Sequence, residues 1–172
     1  MLQIRTLLVP VDFSSCSTKA ATWAADLAAR FGAELTLLHV TEVPRGLDRA
    51  TLVNPIGSSD APPIPIGDWI AESGRDRVRR LAQSLSSRGV QVGIRVTEGP
   101  AVRTILDAAE ELRPDAIVMG THGRKGLAHA FMGSVAERIV RAADCPVITL
   151  KSDDCVDEPT DAVKQARAEL AG

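Results

Sequence analysis

Five short aliphatic runs alternate with stretches of helical periodicity along this chain, and no other feature restricts its fold so tightly. The runs Thr6 to Val11, Glu34 to Val40, Gln91 to Val96, Asp115 to Met119 and Pro146 to Leu150 are rich in aliphatic and β-branched residues. Breakers flank each of them, and they predict strands. Between them Ala20, Ala24, Leu27 and Phe31 recur at helical spacing and stop at Gly32, while Gly74, Val78, Leu81 and Leu85 follow Asp68 as the expected N-cap. A third period, Val102, Ile105, Ala109 and Leu112, opens at Pro100 and stops before Pro114, and a fourth begins near Ser134. Strands apolar on both faces and joined through helices imply a parallel sheet, because right-handed crossovers place helices over each face. The expected fold is α/β, a single doubly wound open sheet of five parallel strands with helices on both faces. Such sheets bind ligands beyond the carboxyl ends of their strands, where strand order reverses. The loops after Val11, Val40 and Met119 are therefore the places to look.

At 172 residues the chain suits one domain of ordinary size, which must hold the whole function. We expect that domain over 1–151, with a proline-rich loop at 41–67 carrying Pro44, Pro55, Pro62, Pro63 and Pro65. Residues 152–172 read as an acidic, weakly helical tail through Val163, Ala166 and Leu170. Aromatic residues make up 3% of the chain, with no Tyr, and the net charge is -2, so neither base stacking nor phosphate attraction favours a nucleic-acid partner. Met1 to Phe13 matches neither a signal peptide nor a membrane span, which predicts a cytoplasmic protein with no membrane partner. Cys16, Cys145 and Cys155 lie far apart without C-x-x-C spacing, so no disulfide framework or zinc site is expected. Cys16, beside the loop after the first strand, is either an oxidant sensor or an inert small side chain.

The chemistry concentrates after the fourth strand, where Gly120, Thr121, His122 and Gly123 are followed by Gly133 and Ser134 at the start of the last helix. This is G-x2-G-x9-G-[S/T]. A strand that runs through such a loop into a helix lets backbone amides approach phosphate oxygens without Cβ interference, and the helix N-terminus adds partial positive charge. Val135 can offer its amide, and Arg124 and Lys125 can neutralise phosphate charge. Ser134 has a second reading: Ser134-x-x-Glu137 is a capping box in which the hydroxyl bonds a helix amide instead of a phosphate. The chain has no P-loop and no G-x-G-x-x-G fingerprint. His39, His122 and His129 lack metal-ligand spacing, and His39 reads as a strand residue. Arg75, Arg77, Arg79 and Arg80 form a solvated helix face with Glu72 and Asp76.

From Arg5 to Lys151 the chain resembles the universal stress protein family, on VPVDFS after the first strand, MGTHGRKG after the fourth, and GSVAERIVRAADCPVITL at the end. The resemblance implies the adenine nucleotide α-hydrolase-like version of the fold. Because Gly120, Gly123, Gly133 and Ser134 are all present, it also implies the ATP-binding subgroup. By the same likeness Pro10, Val11 and Asp12 lie where adenine and ribose are contacted, Val40 meets the base, and Met119 flanks base or ribose. Asp12 can accept from a ribose hydroxyl or the adenine amino group, and Val11, Val40 and Met119 can form an apolar slot. Asp12 is also a possible helix N-cap over Ser14 and Ser15.

The sequence thus reads as an ATP-binding regulatory or stress-response module with little or no turnover, Mg²⁺ arriving with the nucleotide. No acidic residue lies between Gly120 and Ser134 to hold a catalytic metal. The alternatives are a slow ATPase or related nucleotide hydrolase, and a protein-interaction module without nucleotide. The last strand, Pro146 to Leu150, carries no charge and is expected to pair with its counterpart in a homodimer, as the resemblance also implies.

Overall fold

The computed structural model describes residues 3–44, 46–54, 62–121 and 132–151, and in it the expected strands and helices form and alternate. β1 (Thr6–Pro10), α1 (Ser15–Phe31) and β2 (Glu34–Thr41) come first, followed by a short antiparallel pair, β3 (Leu52–Val53) and β4 (Ile64–Pro65). Then come α2 (Ile66–Ser86), β5 (Val92–Glu98), α3 (Ala101–Leu112), β6 (Ala116–Gly120), α4 (Ser134–Ala142) and β7 (Val147–Leu150). The longer strands pair in parallel in the order β5-β2-β1-β6-β7. The chain builds outward from β1 to β5, returns, and builds β6 and β7 on the other side. Strand order therefore reverses between β1 and β6.

Both faces are covered, as the lack of alternation in the strands requires. On one face Leu7, Val9, Leu35, Leu37 and Val118 pack under α1 and α2; on the other Leu8, Leu38, Ile117 and Met119 pack under α3 and α4. α1 faces the sheet with Ala20, Ala21, Ala24, Ala25 and Ala28, all fully buried, and side chains this small let the helix lie close. It ends at Gly32, whose φ of 64° is the left-handed cap that glycine adopts without a Cβ penalty. α3 ends likewise at Arg113, with φ 47°, just before Pro114.

Three expectations about the elements need correction. Asp68 is not an N-cap, because α2 starts earlier, at Ile66. Its first amides donate to backbone carbonyls, Ile66 to Thr51 at 2.8 Å and Gly67 to Arg49 at 3.1 Å. The stretch 41–67 is not all loop. Thr41 closes β2, the β3–β4 pair lies within it, and Ile66 and Gly67 belong to α2. Asp115 precedes β6 instead of joining it and ties it to β1, its Oδ2 accepting from the amides of Arg5 (2.7 Å) and Thr6 (2.9 Å). Those two amides hold its carboxyl below the usual carboxylate range.

Candidate functional site

At the carboxyl end of β1 the ladder stops at Pro10, and the chain turns through Val11, Asp12 and Phe13 into α1. The Val11 amide still donates to Leu38 O at 2.8 Å. The Val11 carbonyl lies 2.8 Å from His39 Nδ1; a carbonyl accepts only, so Nδ1 carries the hydrogen. Phe13 has φ 64°, a left-handed conformation that costs an L-residue about 1–2 kcal/mol. Its ring is held between His39, with centroids 4.5 Å apart, and the Arg77 guanidinium, 4.0 Å over the ring. His39 is buried and packs against Gly74 of α2, where an added Cβ would come within 3.0 Å of the imidazole.

This turn presents Asp12. Its Oδ1 accepts from the Ser14 amide at 3.0 Å and the Ser14 hydroxyl at 2.6 Å, while its own amide donates to Ser17 Oγ at 3.3 Å. Ser14 is the N-cap of α1, accepting from the Ser17 amide at 3.2 Å. Asp12 thus stands one step behind the cap and orients it, which corrects the reading of Asp12 as the cap itself.

In β2, Leu38 bonds toward β1, whereas Leu35 and Thr41 bond toward the β5 side. By the alternation of a parallel ladder, Val40 turns its amide and carbonyl toward β1, beyond that strand's last residue. The side chains of Val40 and Met119 belong to the hydrophobic cluster under α3 and α4, together with Met132 and Val135. Val11 does not join them: its side chain is buried in the cluster on the opposite face. The expected three-residue slot is therefore a Val40–Met119 patch to which Val11 contributes backbone alone.

β6 ends at Gly120, and an ideal Cβ there would stand 2.9 Å from Cys16 Cβ and 3.0 Å from the Cys16 carbonyl carbon. The first turn of α1 sits directly on this residue. Cys16 is buried and, against expectation, disulfide-bonded, whereas Cys145 carries a free thiol whose pKa burial raises. Thr121 is buried and stitched between two elements, its amide donating to Leu150 O at 3.0 Å and its carbonyl accepting from the Gly133 amide at 2.6 Å. The start of α4 is thereby fixed beside the end of β6. Gly123 and Arg124, like His122 and Lys125, lie outside the described residues.

Gly133 is the N-cap of α4, with φ -59° and no side-chain cap bond, so the capping box of Ser134 with Glu137 does not form; the Glu137 amide donates to Gly133 O at 3.0 Å. The amides of Ser134, Val135 and Ala136 precede that first helical bond and lie at the positive end of the helix. The side chain of Glu137 in the same turn pairs with Arg141 at 3.0 Å. Asp12, the Val40 backbone, the Val40–Met119 patch and the α4 amides thus gather at the carboxyl end of the sheet, beside the point where strand order reverses. Among the described residues, no cluster of His, Cys, Asp or Glu is arranged to hold a metal ion, and no helix is long and apolar enough to cross a membrane.

The long-range members escaped the sequence. Nothing local marks His39 and Phe13 as the pair that shapes the Asp12 turn; the one visible sign is a histidine interrupting an aliphatic strand.

Residues 3–151 match the family model described as "Universal stress protein family". A universal stress protein of Methanocaldococcus jannaschii is 32% identical over 149 residues, covering 86% of this chain and 82% of that protein. A Mycobacterium tuberculosis relative is 33% identical over 159 residues, and the chain spans 49% of its length. Among solved structures, the universal stress protein UspA from Lactobacillus plantarum superposes with a TM-score of 0.69 at 24% identity, covering 87% of this chain and 99% of that one. The universal stress protein from Archaeoglobus fulgidus in complex with dAMP gives 0.55 at 19% identity, covering 87% and 98%.

Proposed function

This chain belongs to the universal stress protein family, and from that premise we propose that it binds an adenine nucleotide, ATP, at the carboxyl end of β1 and β6. The observation that carries this reading is the joint placement of Asp12 and the α4 N-terminus at the strand-order reversal, held there by the Thr121–Gly133 bond. The dAMP complex of the Archaeoglobus relative supports an adenine nucleotide as the ligand class. In this reading the base meets the Val40 backbone and the Val40–Met119 patch, and Asp12 accepts from the ribose. Pro10 and Val11 form the floor of the turn. The phosphates meet the amides of Ser134 and Val135 and the loop through Gly120, Thr121, Gly123 and Arg124 to Gly133, with Mg²⁺ entering on the nucleotide.

Bound ATP acts as a regulatory ligand with little turnover, because the loop from Gly120 to Ser134 supplies no carboxylate and Glu137 is engaged with Arg141. The module works in the cytoplasm in stress response. Nucleotide released by denaturing freshly purified protein and identified by mass spectrometry tests the assignment. ATP or ADP is the expected species; a flavin, or protein that stays empty and fails to take up adenine nucleotide, contradicts it.

β7 is an edge of the sheet, half-buried along its length, and we propose that it pairs with the same strand of a second copy across a two-fold axis. Sedimentation equilibrium at micromolar concentration should give twice the chain mass, and a monomer rejects this pairing.

A further inference from the structure

A phenylalanine follows Asp12 at a backbone position that glycine would occupy without penalty, with φ 64°. Residues held in this region persist only where their surroundings overdetermine them, and they cluster at binding sites. For Phe13 those surroundings are two ring contacts, the His39 imidazole at 4.5 Å between centroids and the Arg77 guanidinium of α2 at 4.0 Å. Glycine there would settle the backbone but give up both contacts, so what phenylalanine contributes is its ring. The same imidazole also fixes the other side of Asp12. His39 Nδ1 donates to the Val11 carbonyl at 2.8 Å, which sets the plane of the peptide joining Val11 to Asp12. One buried side chain therefore brackets Asp12, holding the peptide before it by a hydrogen bond and the residue after it by a ring contact. The imidazole is seated where Gly74 of α2 leaves room, since a Cβ there would come within 3.0 Å of it. The next residue of β2 is Val40, whose side chain belongs to the cluster on the opposite face of the sheet, with Met119.

We propose that His39 and Phe13 are positioning residues for ribose recognition. From behind the turn they hold the Asp12 carboxylate facing the ribose hydroxyls, while Val40, next to His39 in the chain, meets the base on the other face. The inference rests on the nucleotide reading above and adds to it the residues that set a preference for a sugar carrying free hydroxyl groups.

Calorimetric titrations with ATP and with 2′,3′-dideoxy-ATP, which lacks the ribose hydroxyls, separate positioning from general support of the fold. A hydrogen bond to a charged acceptor is worth about tenfold or more in affinity, so the parent chain should prefer ATP by about that factor. His39→Leu and Phe13→Gly should abolish the preference by weakening ATP, while dideoxy-ATP binds about as it does to the parent. His39→Asn should restore it, because the asparagine amide nitrogen reaches the place of Nδ1 and donates to the same carbonyl. A merely structural role would weaken both nucleotides together and leave their ratio unchanged. Phe13→Gly, which removes no buried polar group, carries the test if His39→Leu fails to melt cooperatively. An ATP preference that survives Phe13→Gly, an equal loss of both nucleotides, or no recovery with His39→Asn overturns the proposal and leaves nucleotide binding standing. A parent chain that takes up neither nucleotide, or binds the two alike, instead removes the Asp12–ribose contact itself and the proposal with it.

Discussion

Gly120 is a glycine for a reason of space, not of backbone conformation. Its neighbour across the interface is the first turn of α1, and a methyl group would enter within 2.9 Å of Cys16 Cβ. Overpacking of this kind costs about 1–3 kcal/mol. For a domain of this size each kcal/mol is worth about 2–4 °C. Gly120→Ala should therefore lower the melting temperature by several degrees in a circular-dichroism scan, and an unchanged transition would show that α1 gives way freely. The sequence marks Gly120 only as part of a candidate phosphate motif and hides its packing role, since Cys16 is far from it along the chain. The same holds for His39, whose bond to the Val11 carbonyl joins residues 28 apart. Asp12 was legible because its neighbours Ser14 and Ser15 are local, although the cap proved to be Ser14.

Helix starts divide the elements into those that local sequence defines and those that it does not. α1 carries its own cap in Ser14. α2 borrows the Thr51 and Arg49 carbonyls, and the α3 amide of Ala101 donates to Glu42 Oε1 at 3.1 Å, 59 residues away. Side-chain cap rules therefore misplaced the start of α2 at Asp68. α4 has no side-chain cap at all, and its opening amides at Ser134 and Val135 are the ones proposed for phosphate. Gly133, with φ -59° and ψ 148°, sits in an extended conformation open to any residue, so its backbone angles do not demand glycine. Gly133→Val should keep the fold, at an N-cap cost of about 1 kcal/mol or less. It should weaken ATP binding by about tenfold or more, roughly 1.4 kcal/mol, in a calorimetric titration. Undiminished affinity would remove the α4 N-terminus from the site.

For the whole molecule, the alternation of strand and helix made the doubly wound sheet legible, because apolar runs covered on both faces leave few other arrangements. The β3–β4 pair was hidden, since two-residue strands carry no periodicity. The sheet order brings the proposed site to the β1–β6 reversal, where ATP is proposed to bind as a stabilising ligand with little turnover. A ligand that binds only the folded state adds about 2.7 kcal/mol at a hundredfold excess over Kd. That corresponds to a rise of roughly 5–10 °C in melting temperature. Thermal scans with and without Mg-ATP, with phosphate release followed in the same samples, test the claim directly. That shift is the expected result, with turnover far below the roughly 1–100 s⁻¹ of kinases. No shift with any adenine nucleotide, or rapid phosphate release abolished by Ser134→Ala, would contradict it.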